Sequence, residues 1–159
     1  MGDDRVIRRW LETYRAQHPG LLNKFAHAVT VPVVYGAVLA LLTLVPYPDS
    51  LRVIPGIGWA GTFTLITVIA TTFVSWRLAL GLLAFTLVLL TLIVLHRSWA
   101  GDLPLWQVAI AFGAIAFVVQ KIAQGLAGGG GALWRDIPNV LMGPLWLLAA
   151  LYRLVGLRY

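Results

Sequence analysis

Four apolar runs dominate the chain, 25–45, 58–74, 78–95 and 105–123, and a single lysine, Lys121, is the only Asp, Glu, Lys or Arg in any of them. A hydrocarbon core about 30 Å thick is crossed by roughly 20 helical residues, so each run is of the length a bilayer demands. Backbone groups in lipid must also be satisfied within their own segment, which leaves helices as the solution for such runs. An all-α, polytopic membrane bundle with four transmembrane helices follows. With 60% hydrophobic and 11% charged residues, the chain lies far outside the ordinary soluble range of about 25% charged. Its 159 residues form a single membrane domain, because no polar linker or internal repeat divides them.

Punctuation between the runs agrees. Pro46, Pro48, Pro55 and Gly56 break the first connection, Ser75-Trp76-Arg77 is a tight turn, and Gly101, Asp102 and Pro104 precede the fourth helix. A fifth apolar piece, 137–153, contains Pro138 and the Gly143-Pro144 pair, and is read as a re-entrant, interfacial or fifth spanning helix. Ahead of the first run, Val6, Ile7, Trp10, Leu11, Tyr14 and His18 recur at helical spacing with Arg5, Arg8, Arg9 and Arg15 largely on the other side. Residues 1–20 are therefore expected to form an amphipathic helix lying in the membrane interface and ending at Pro19-Gly20. Since the first apolar run begins only at Phe25 and is too long for a signal-peptide core, the N-terminus is expected to stay in the mature protein.

Basic residues outnumber acidic ones, 12 to 6, but they are scattered between apolar spans with no stripe of stacking aromatics. Nucleic acid is excluded as a partner on that ground, and the charges read as topology signals and contacts to membrane lipids. Arg5, Arg8, Arg9, Arg15, Lys24, Arg77, Lys121 and Arg135 fall on the N-terminal side of the bundle, against Arg52 and Arg97 on the other, so the N-terminus is expected in the cytoplasm. The protein would then be an integral protein of the cell inner membrane in a bacterium, or of the endoplasmic reticulum in a eukaryote. Trp10, Trp76 and Trp134 mark the cytoplasmic boundary, and Trp59, Trp99 and Trp106 the opposite one. Cysteine is absent, which excludes disulfides, iron–sulfur clusters and thiolate chemistry.

Chemistry-bearing residues collect at one end. His18 closes the surface helix and His27 opens the first span, with Asn23 four residues before it on the same face. The fourth span returns to that side, bringing Gln120, Lys121 and Gln124, and Asp136 follows after a glycine-rich connector. Two imidazoles from different elements with a carboxylate nearby suit a non-haem iron site; the plainer alternative is that polar residues terminate an apolar helix. His96 caps the third span on the far side and reads as an interfacial residue beside Arg97. Ala109, Gly113, Ala116 and Gln120 make a small-residue stripe for close helix approach, and Lys121 is expected to extend toward headgroups. Thr62, Thr64, Thr67, Thr71 and Thr72 are expected to bond back to helix carbonyls. No hydrolase triad or phosphate-binding loop is present, and no span carries the acidic, broken-helix features of a small transporter.

The pattern Trp10-Leu-x-x-Tyr14-x-x-x-His18, then Asn23-Lys24-x-x-His27 and Pro32, a late Gln120, and Asp136 with the closing run Gly143-Pro-Leu-Trp-Leu-Leu resembles the small membrane proteins related to the fungal 2-hydroxy fatty acid dioxygenase. That resemblance implies an Fe(II)-dependent oxidoreductase of fatty acid metabolism that shortens 2-hydroxy fatty acids by one carbon. It implies metal ligands at His18 and His27, the family's N-terminal pair; a substrate headgroup is expected near Asn23, Lys24 and Gln120, with Lys24 pairing a carboxylate by charge complementarity. The family's later motif, Q-x-I-G-H-x-x-E-x-x-x-P, stands here as Gln120-Lys-Ile-Ala-Gln124-Gly-Leu-Ala127-Gly-Gly-Gly-Gly131. Gln124 occupies the position of a family histidine and Ala127 that of a glutamate, leaving Asp136 as the remaining carboxylate. Two expectations result: an iron dioxygenase acting at the cytoplasmic face, or a non-catalytic lipid-binding membrane protein of the same fold that has lost the metal.

Overall fold

A computed structural model describes residues 20–51, 57–99, 102–126 and 137–156. It is all-helical, with no strand among the described residues: α1 Leu21–Leu42, a 3-10 turn Asp49–Leu51, α2 Trp59–Thr72, α3 Trp76–Trp99, α4 Leu105–Leu126 and α5 Ile137–Leu154. The expected amphipathic helix at 1–20 falls outside the described residues, apart from Gly20. Gly20 takes φ 85°, a backbone conformation open to glycine, immediately before α1.

Among the described residues three helices are long and apolar enough to cross a bilayer: α3, α4, and α1 from Asn23 onward. Helix α2 has only 14 residues, about 21 Å at 1.5 Å per residue. It stops where Phe73, Val74 and Ser75 turn the chain into α3. The bundle is as apolar outside as inside: Leu87, Val88, Val94, Phe112, Ile115 and Ile122 are all more than half exposed. Water would not tolerate that surface, whereas hydrocarbon does not distinguish it from a core.

Helix α1 is the hub. It packs most extensively against α4 and also touches α2, α3 and α5. The small-residue stripe of α4 accounts for the first contact. Ala109, Ala116 and Ala123 are buried, and a Cβ on Gly113 would stand 2.9 Å from the Ala37 Cβ. Tyr35 joins α1 to α2 and α3, its ring 6.0 Å from Phe63 and 5.9 Å from Phe85, with its hydroxyl 3.4 Å from Thr86 Oγ1.

Threonines otherwise satisfy themselves within their helices. Thr64, Thr67, Thr71 and Thr72 donate to the carbonyls four residues back, whereas Thr62 pairs with the Tyr47 hydroxyl at 3.1 Å.

Helix α5 belongs to the core. Leu145, Trp146, Leu148 and Ala149 are buried in the same cluster as Tyr35, Leu39 and Leu78. Its last turns lie on the start of α3, where the Tyr152 hydroxyl donates to the Arg77 carbonyl at 2.9 Å and sits against Gly81, with no space for a side chain at 81. Tyr152→Phe is expected to lower stability by about 1 kcal/mol, the net worth of one hydrogen bond. Gly81→Val is expected to lower it more, by about 1–3 kcal/mol, by forcing α5 off α3. Thermal unfolding of the purified chain in detergent checks both.

Candidate functional site

The ends of α1 and α4 build the site. Asn23 and His27 lie one turn apart on the face of α1 that meets α4, and both are almost fully enclosed, at 1% and 2% exposure. Because α4 runs antiparallel to α1, its last two turns return to this level with Lys121 and Gln124. Small residues make the approach close enough: Ala116 and Ala123 keep the α4 face flat up to Gln124, itself buried.

A polar chain results. Lys121 Nζ donates to Gln124 Oε1 at 3.3 Å, and Gln124 Nε2 lies 3.5 Å from His27 Nε2. With the amide oxygen occupied by the ammonium, the amide nitrogen is the atom presented to the imidazole. It donates to Nε2 in the tautomer that carries its ring proton on Nδ1. Lys121 also rests over the Phe117 ring at 5.5 Å. Lys121 is half-buried in the last two turns of α4, with a partner three residues on and a ring four residues back on its own helix.

Asn23 is the anomaly. Neither its amide oxygen nor its amide nitrogen has a hydrogen-bond partner among the described residues. A buried amide left unmade carries a penalty of about 1–3 kcal/mol per group, so such a residue calls for an explanation. Lys24 and Gln120 are half-buried beside these positions. His18 and Asp136 lie outside the described residues, as do Ala127 and Gly131.

The opposite end of the bundle holds His96 and Arg97. The Arg97 guanidinium donates to Thr43 Oγ1 at 3.1 Å, joining the C-terminal ends of α3 and α1. His96 is thus separated from His27 by most of the length of α1. Tryptophans sit at both ends: Trp76 with Arg77 5.5 Å above its ring at the His27 end, and Trp59, donating to the Pro46 carbonyl at 3.0 Å, with Trp99 and Trp106 at the other.

No protein-family model, curated protein or solved structure matches the chain. The likeness to the 2-hydroxy fatty acid dioxygenase relatives accordingly rests on the residues quoted above.

The iron that this likeness implies can be tested against the donors present. Among the described residues no three His, Asp or Glu side chains come together. Among the described residues the Gln124 amide nitrogen faces the His27 imidazole at 3.5 Å, with the Lys121 ammonium 3.3 Å from the amide oxygen. Imidazole and carboxylate suit Fe(II), and neither an amide N–H nor an ammonium can coordinate it. Of the implied donors, His27 and Gln124 lie among the described residues, and His18 and Asp136 lie outside them.

Proposed function

We propose that the chain is an integral membrane protein with its N-terminus on the cytoplasmic side, and that it holds the polar head of a single membrane amphiphile at the Asn23, His27, Gln124 and Lys121 cluster. The single observation that carries this reading is Asn23, an enclosed primary amide with donor and acceptor both unspent. A hydroxylated carboxylate is a head that both accepts and donates beside a cation. A 2-hydroxy fatty acid has that chemistry, its carboxylate facing Lys121 or Lys24 and its hydroxyl facing Asn23.

On this reading the chain crosses four times. The Arg97–Thr43 hydrogen bond joins the ends of α1 and α3, so α2 runs the opposite way between them, and its 14 residues suffice as a span where the bilayer thins locally. The basic residues then fall eight to two in favour of the His27 side, as positive-inside bias requires.

The test is a thermal shift of the full chain in detergent on adding a long-chain 2-hydroxy acid, with an alkane of equal length as control. A ligand at 100 times its Kd adds about 2.7 kcal/mol to the folded state. Equal shifts with acid and alkane would sink the proposal.

The iron-dependent dioxygenase is the rival reading, and metal content separates the two. After anaerobic loading with Fe(II), the chain is expected to hold less than one equivalent of iron. Gln124→His combined with Ala127→Glu is expected to raise the iron content, with His27→Ala reversing the gain. Stoichiometric iron in the unaltered chain, lost on His18→Ala or His27→Ala, would restore the oxygenase.

A further inference from the structure

At the end of the bundle away from His27, a groove of about 350 Å³ opens between α3 and α4 over the face of α1. It exists because α3 and α4 barely touch each other, while Gly36, Ala37 and Ala109 keep its floor low. A Cβ on Gly36 would reach only to 3.6 Å from Leu89 Cδ2, in ordinary contact, so the glycine widens the groove rather than relieving a clash. The lining is apolar except at one point, His96, whose Nδ1 is buried with no hydrogen-bond partner among the described residues.

We infer that this groove is a second binding site, for the tail of a single-chain, hydroxyl-headed amphiphile whose head bonds to His96 Nδ1. Three features select that occupant. The groove opens sideways into what the proposed topology makes hydrocarbon, where an acyl chain fills a concave apolar surface without dehydrating anything. Its volume is at the lower end for ligand pockets, about 300–1,000 Å³, which is room for one chain rather than two. No charged side chain lines it, so an ionised head would be left unpaired, whereas a hydroxyl needs only the one partner that His96 offers. His96 lies one turn from the end of α3, at the depth where a head meets water and a tail runs inward toward Pro32 and Val33.

The experiment uses the full chain in phosphatidylcholine vesicles and a photoreactive long-chain alcohol, with crosslinks mapped by mass spectrometry. Labelling is expected at residues 89–93 and 108–112, and excess unlabelled alcohol should compete it away. His96→Phe, which keeps the ring and removes the nitrogen, is expected to weaken the alcohol about tenfold while leaving a photoreactive alkane unchanged. Gly36→Leu, which fills the groove, should abolish both labels. Asn23→Leu should alter neither, since that residue is at the other end. Uncompeted labelling spread equally over Leu87, Ile115 and Ile122 would reduce the groove to ordinary lipid contact and overturn the inference. An unchanged alcohol affinity in His96→Phe, or a loss in Asn23→Leu, would overturn it as well.

Discussion

Gly113→Leu is expected to destabilise the bundle by about 3 kcal/mol and to abolish amphiphile binding at the His27 end. The α1–α4 contact is the largest between the described helices, and at Gly113 even a methyl would stand 2.9 Å from the Ala37 Cβ. In lipid there is no hydrophobic gain to compensate a poor fit, because apolar surface is solvated as well outside the bundle as inside it. A leucine must therefore push the helices apart. The His27–Gln124 contact, already at 3.5 Å, then opens, because its two partners sit on the two helices being separated. Unfolding in detergent and ligand-induced thermal shift measure the two effects. The pair Gly113→Ala with Ala37→Gly should recover most of both, since it moves one methyl across the seam without changing its volume. Gly125→Ala, at a position where a Cβ meets nothing within 4 Å, should change stability little.

That seam was legible in the sequence, and the reason shows what else could be. Small residues at Ala109, Gly113 and Ala116 stand out against large neighbours, so the stripe identifies the face of α4 that packs. Together with topology, it brings Gln124 to His27 without coordinates. Hydropathy does not do this work. Phe112 and Ile115 are as apolar as Leu39 and Leu82, yet the former face outward and the latter are buried, because a helix in hydrocarbon has no polar side to reveal its rotation. The same loss of contrast left the place of α5 open. Gly143 and Pro144 allowed a re-entrant, interfacial or spanning helix, and it is the side chains of Leu145, Trp146 and Ala149 that tie α5 to the core, with Pro144 carried within the helix. A proline inside a helix removes one backbone hydrogen bond, and packing against α1 and α3 holds the helix together. Nothing in spacing announced the groove at His96. It is a gap left where two helices fail to meet, and gaps depend on the rotation that hydropathy leaves open.

Asn23→Leu is expected to do two opposite things. In the ligand-free protein it removes an enclosed amide whose oxygen and nitrogen have no described partner, and puts an apolar side chain of similar size in its place. Replacing an unsatisfied polar group in this way should raise stability by about 1–3 kcal/mol. Sites that give up stability for binding are where stabilising substitutions are easiest to find. In the presence of a long-chain 2-hydroxy acid, the order should reverse. The unaltered chain gains about 2.7 kcal/mol at 100 times the Kd, and the variant, lacking the amide, gains little. Two thermal melts of each protein, with and without the acid, decide the matter, and the crossing of the two pairs is the signature. A variant less stable than its parent in the absence of ligand would mean that Asn23 is already satisfied, and the headgroup site would lose its principal support. A variant that is more stable and still shifts fully with the acid would place the head elsewhere. Only the crossing connects the unspent amide to the head of a bound amphiphile, because a purely structural asparagine has no reason to trade stability for a ligand-dependent gain.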